Sequence, residues 1–295
     1  MKPAASSNLT AFLLVAVAPL CWAGNIVLAK GVATIIPPVA LAFWRWAVAF
    51  LVLLPLTWPY VKRDWQTALA GWKIVLLLSL FGITSFNTLL YMAVHTTTAI
   101  NGALIQTTMP AVIIVISLLL YGERVSWIQA AGVVLCVIGA GLVVLKGSWQ
   151  ALVDMALVQG DLLMIVAVIL YALYSALLPK RPSMHPLSFL TVTFGVGGLG
   201  LLPLYLWEIS IKGAFALTPA VAGSIAYVAL FPSIVAYFCW NRGVAAIGAN
   251  RTGLFINLIP VFAAILAIVF LGETLMAYHL WGMGLILAGF VLFNR

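Results

Sequence analysis

The chain has 295 residues, of which 65% are hydrophobic and only 7% charged, and its mean hydropathy is +1.21. That composition excludes a soluble globular domain and marks a polytopic membrane protein. A net charge of +8 would suit nucleic acid, but the 14 Lys and Arg residues are scattered between apolar runs instead of gathered on one face, so no nucleic-acid partner is expected.

Taken in order, the sequence contains ten apolar segments, each of about 18 to 24 residues and long enough to cross a hydrocarbon core of roughly 30 Å. They are 9–30, 38–60, 73–94, 100–120, 126–145, 160–178, 186–207, 218–240, 251–271 and 275–293. The first, preceded by Lys2, is read as a retained helix and not as a signal peptide, because its apolar run continues to Ala29 and nine more segments follow. If the N-terminus is cytoplasmic, the inner loops and termini hold Lys2, Lys62, Arg63, Lys73, Arg124, Lys180, Arg181, Arg242, Arg251 and Arg295, against Lys30, Lys146 and Lys212 outside. Such a bias puts both termini on the cytoplasmic side of a bacterial-type inner membrane. The stretches 146–159 and 207–217 then fall outside and read as short interfacial segments. Cys21, Cys136 and Cys239 lie singly in apolar segments, so neither a disulfide framework nor a metal site is expected, and no cofactor is implied.

The stretch 80–144 recurs 150 positions later without a gap. Pro110, Gly122, Glu123, Gly132 and Gly139 fall on Pro260, Gly272, Glu273, Gly282 and Gly289, and seven apolar positions match besides. The chain is thus read as two units, 1–147 and 148–295, with five helices each. An odd number of spans inverts the second unit relative to the first. Inverted repeats characterise secondary transporters, whose halves exchange inward-open and outward-open states around a midplane site, which a monomer of this size could form by itself.

The two endings GERVSWIQAAGVVLCVIGAGLVVL and GETLMAYHLWGMGLILAGFVLF resemble the pattern that closes each half of EamA-type members of the drug/metabolite transporter superfamily. Leu20 to Lys30, with its aromatic, small, Gly-Asn and Lys order, and Phe43-Trp44-Arg45-Trp46 resemble the same family's first half. The resemblance implies a carrier of amino acids, other metabolites or drugs, nearest to the YddG-type aromatic amino-acid exporters.

Candidate site residues follow from helical spacing. Asn87 and Tyr91 share a face of the third segment with Thr84, and Gln106, Thr107 and Pro110 share one of the fourth. The shifted positions Tyr237, Asn241 and Asn257 bring hydrogen-bonding groups to similar depth in the second unit, and Trp22, Asn25, Tyr171 and Tyr174 add amide and aromatic groups from the first and sixth segments. A midplane cavity lined in this way suits an amphipathic solute such as an amino acid with a large side chain. The alternative for each polar residue is an ordinary interhelical hydrogen bond.

Arg45 is the one charge well inside a segment. Either its stem lies among Trp44 and Trp46 with the guanidinium reaching the interface, or it faces the cavity toward a substrate carboxylate. Trp46 is expected to point elsewhere. Pro110 and Pro260 are expected to kink the fourth and ninth helices beside the pathway. Gly122-Glu123 and Gly272-Glu273 are expected to turn and cap the helices that follow. No Asp or Glu lies well inside a segment, so either coupling uses one of the peripheral groups Asp161, His95 and His279 or transport is facilitated efflux or exchange, the favoured reading. The same scarcity of clustered acids excludes a membrane phosphotransfer enzyme. A phosphate-ester exchanger would need more cavity cations than Arg45, and a sensor or assembly subunit is the non-transport alternative.

Overall fold

The computed structural model describes residues 5–96, 105–106, 108–122, 126–144, 147–148, 150, 159–271 and 277–293. Among the described residues the regular structure is helical, with no strand. The first half supplies α1 (Ala5–Val32), α2 (Pro38–Ala70), α3 (Trp72–Thr96), α4 (Met109–Tyr121) and α5 (Trp127–Val144). The second supplies α6 (Gln159–Leu177), α7 (Pro186–Lys212), α8 (Pro219–Ile247), α9 (Ala249–Leu254 continuing through Leu258–Leu271) and α10 (Ala277–Phe293). Six stretches, in α1, α2, α3, α6, α7 and α8, are long and apolar enough to cross a membrane, and shorter apolar helices lie at Met109–Tyr121, Trp127–Gly139 and Leu280–Phe293. The protein is an all-α integral membrane protein.

Several helices outrun their expected ends for a local reason. Nothing between Tyr60 and Ala70 stops a helix, so α2 continues through Lys62, Arg63 and Asp64 until Gly71, whose amide bonds the Thr67 carbonyl at 3.1 Å. Likewise α7 carries Glu208 and Lys212 in its last turns and ends only at Gly213, where φ is +78°. The stretch after 207, read from sequence as interfacial, is therefore helical as far as Lys212. In α8 the helix runs past 240 to Ile247 and stops at Gly248, φ +83°.

The halves are interleaved. Helix α1 packs on α8 and α9, and the related pairs α6 with α3 and α6 with α4 repeat those contacts in the other half; α2 lies along α7, α4 against α9 and α5 along α10. Each pairing crosses between units, so neither half buries its apolar faces alone. The α5–α10 seam shows the twofold relation most directly. A Cβ added at Gly132 would stand 2.7 Å from the Gly289 carbonyl, and one at Gly139 would stand 2.7 Å from that of Gly282. Shifting the first pair by 150 gives the second. Small residues let these backbones touch, as in other bilayer helix pairs.

Helices α3 and α8 each contain one π-helical turn, Leu80–Ser85 and Leu230–Val235, at the same repeat positions. A π turn leaves backbone carbonyls without their helical donors. Pro232 deepens the defect because it has no amide. Ser233 Oγ substitutes by donating to the Val228 carbonyl at 2.7 Å.

The two prolines expected to kink the fourth and ninth helices each stand in a first helical turn. Pro110 stands in the first turn of α4, after Thr108 closes a turn onto the Ile105 carbonyl at 3.1 Å. Pro260 stands in the first turn after the 3-10 segment Phe255–Asn257. A proline lacks the amide for the carbonyl four residues back, and for Pro260 that carbonyl, of Ile256, lies within the 3-10 segment.

Candidate functional site

Where α1, α3, α4, α6 and α9 converge, a narrow cavity lies between the two halves. Its polar wall is Asn25, Asn87 and Gln106; aromatic side chains Trp22, Phe86 and Tyr171 and the apolar Ile26, Leu90, Met109, Ile256 and Ile259 complete it. Phe86 and Tyr171 rings are 4.6 Å apart, and Trp22 meets Tyr171 edge-on at 5.6 Å.

Arg45 lies behind the polar wall and is 0% exposed. Snorkelling toward the interface is therefore ruled out. Its Nε donates to Ser233 Oγ at 2.6 Å, and its Nη1 contacts Asn87 Oδ1 at 2.8 Å, Tyr91 Oη at 2.9 Å and Asn25 Oδ1 at 3.3 Å. Nη2 donates to the Pro232 carbonyl at 2.8 Å, which also accepts from Trp22 Nε1 at 3.0 Å. The π turn of α8 thus frees a carbonyl, and α1 and α2 of the other unit satisfy it. The equivalent carbonyl in α3, that of Gly82, accepts from the Tyr237 hydroxyl. Trp46 does not point away from the arginine: its ring centroid is 4.7 Å from Arg45 Cζ. Both side chains turn inward because α2 is enclosed between α7 and α8 at this level.

The other sequence-derived residues divide by position. Tyr91 and Tyr237 stand in the layer behind the cavity, hydrogen-bonded into the arginine network. Tyr174 donates to Asn241 Oδ1 at 2.6 Å beneath the same layer, its ring pressed on Gly82 where a Cβ would not fit. Asn257 is 0% exposed, and neither end of its carboxamide has a partner. Gly122 ends α4 in the left-handed region at φ +69°, its amide bonding the Leu118 carbonyl at 2.9 Å. Thr107, Glu123, Gly272 and Glu273 lie outside the described residues.

Sequence reasoning missed Ser233 and the Pro232 carbonyl, which hold the arginine, and the apolar lining from Met109, Ile256 and Ile259. It also missed two buried carboxylates. Glu208, 5% exposed, accepts the Ala40 amide at 2.7 Å and pairs with Lys212 at 3.1 Å; Asp64 accepts the His185 amide at 2.7 Å and pairs with Arg63 at 3.2 Å. Pro232-Ser233 inside an apolar helix was the available signal for the first. Among the described residues no group of three or more His, Cys, Asp or Glu could hold a metal.

The model of the EamA-like transporter family matches residues 9–145 and again 158–295. The chain belongs to that family. EamA-like relatives include an uncharacterized transporter, YyaM, of Bacillus subtilis, 29% identical over 79% of this chain and 77% of its own length. The inner membrane protein YtfF of Escherichia coli is 28% identical over 70% of each chain. A probable terminal-alkyne amino-acid exporter of Streptantibioticus cattleyicolor is 26% identical over 72% of this chain and 70% of its own. A crystal structure 16% identical in sequence superposes with a TM-score of 0.74 over 96% of both chains, which establishes a shared fold. As an EamA-like protein this chain is a membrane transporter of small molecules, not an enzyme.

Proposed function

We propose that this EamA-like protein exports amino acids, aromatic and other bulky neutral ones first, by alternating access through the cavity between its repeats. The observation that carries the reading is the lining of that cavity. Amides from Asn25, Asn87 and Gln106 stand beside the rings of Trp22, Phe86 and Tyr171, so one solute would meet hydrogen-bonding groups and an apolar aromatic face together. The relative named as an amino-acid exporter supports the same class. The helix pairing and the distribution of Lys and Arg support ten spans with both termini cytoplasmic. The two halves meet across a twofold arrangement that allows the exchange of inward-open and outward-open forms.

The test is solute flux in proteoliposomes containing only this protein, with labelled aromatic, aliphatic and charged amino acids, with and without an imposed pH gradient. Saturable flux of Trp, Phe or Tyr that survives collapse of the gradient is the expected result. Absence of amino-acid flux in both conditions would overturn the substrate class and leave membership of the family intact.

A further inference from the structure

We propose that the cavity wall formed by Asn25 and Asn87 is a carboxylate-binding site, polarised from behind by Arg45. The identity of the substrate rests on the amino-acid reading above; the site itself rests on the hydrogen-bond geometry. A guanidinium can only donate. Any carboxamide beside it must turn its oxygen inward, and Asn25 Oδ1 and Asn87 Oδ1 both do, at 3.3 and 2.8 Å from Nη1. The Tyr91 hydroxyl adds a second donor to Asn25 Oδ1 at 2.8 Å, which fixes that carboxamide. Both NH₂ groups are consequently directed away from the arginine. Asn25 lines the cavity and its Nδ2 meets no acceptor in the protein, while Asn87 Nδ2 has one long contact, 3.4 Å to the Tyr237 hydroxyl. The wall offers donors.

Charge points the same way. The five hydrogen bonds of Arg45 all go to neutral oxygens, and the ion pairs Arg63 with Asp64 and Lys212 with Glu208 stand near helix ends outside this network. A buried charge without a countercharge keeps its field in a low-dielectric interior. That field reaches the cavity one side chain away, favouring an anion and opposing a cation. A carboxylate held there would leave its apolar substituent against Trp22, Phe86 and Tyr171. The device is present once, because α7, the counterpart of α2, carries no arginine and its one lysine, Lys212, stands at its end, so the solute would have one preferred orientation.

Binding to the purified full-length protein should be measured with phenylacetate, phenylalanine, phenylalaninamide and 2-phenylethylamine. Phenylacetate and phenylalanine are expected to bind about tenfold or more tightly than the amide and the amine, the size of one charge-assisted contact. Asn25→Asp keeps the acceptor for Arg45 and Tyr91, so it should fold, but it removes the donor and cancels the charge. It is expected to lose phenylacetate binding by about tenfold or more and to hold the amine as well as the parent protein or better. Amide bound as tightly as acid, no binding of either carboxylate, or undiminished phenylacetate binding by Asn25→Asp would overturn the site. Phenylalanine flux accompanied by equal binding of the amide would remove the site and keep the amino-acid reading. Phenylacetate binding without any amino-acid flux would do the opposite.

Discussion

Asn87 and Tyr237 occupy the same position of the two repeats, and the carboxamide of one donates to the hydroxyl of the other across 3.4 Å. Equivalent residues of two copies related by a twofold rotation meet only close to the axis. Cys136 and Ile286 are a second such pair, Sγ to carbonyl 3.4 Å, between α5 and α10. The axis therefore passes through the arginine network and through the glycine seam. Groups this close to the axis are shared by both repeats, so a substitution there disturbs the two halves together.

At the seam the prediction is steric. Gly139→Val would push its side chain against the Gly282 carbonyl and the Ile286 amide, atoms that cannot yield without separating α5 from α10. A loss of more than about 2 kcal/mol is expected, read as a fall in thermal unfolding temperature in detergent. Gly284 is on the same α10, yet a Cβ there meets nothing within 4 Å. Gly284→Ala should leave stability unchanged, and equal damage from both substitutions would refute the close-contact account.

At the other point on the axis, Tyr237→Phe deletes the donor to the Gly82 carbonyl and the acceptor for Asn87 Nδ2. Because the π turn leaves that carbonyl without a helical partner, the loss should approach the cost of a buried unsatisfied group, about 1–3 kcal/mol. Unfolding of the purified variant measures it. An unchanged midpoint would mean that the π turn of α3 is satisfied in some other way.

The repeat, the helices and the polar faces were legible because each leaves a periodic mark: Pro110 and Pro260, Gly139 and Gly289, or the three- and four-residue spacing of Thr84, Asn87 and Tyr91. Arg45 was visible as a residue but not as a network. Its partners Ser233, Asn25 and Tyr91 come from three other helices, and the main acceptor is a backbone carbonyl freed by a π turn that no side-chain pattern announces. Glu208 and Asp64 fall just past the apolar runs 186–207 and 38–60, and a charge beside an apolar run marks its edge on average. In this fold α2 and α7 run on, and the acids find buried amides on the neighbouring helix.

Those acids form a reciprocal clamp. Glu208 near the end of α7 accepts the Ala40 amide at the start of α2, and Asp64 near the end of α2 accepts the His185 amide just before α7, each at 2.7 Å. Amides at helix starts have no helical partner and carry the positive end of the dipole. Glu208→Ala and Asp64→Ala should each cost about 1–2 kcal/mol. The double variant should show the sum, because the two contacts share no atom and lie at opposite ends of the α2–α7 pair. A clear departure from additivity in the unfolding midpoints would show that the ends are coupled.

Asn257 separates stability from function. Its carboxamide is wholly buried with neither end hydrogen-bonded, an arrangement that costs about 1–3 kcal/mol. It also stands in the 3-10 turn of α9, beside the cavity-lining Ile256 and at the repeat position of Thr107. Asn257→Leu has nearly the same shape and removes the unsatisfied groups, so its unfolding midpoint should match or exceed that of the parent protein. If the carboxamide meets the solute when the pathway opens, the same variant should lose flux at least several-fold in proteoliposomes. A more stable protein with full flux would assign Asn257 no part in transport, and a destabilised one would show that a partner for the carboxamide exists in the membrane.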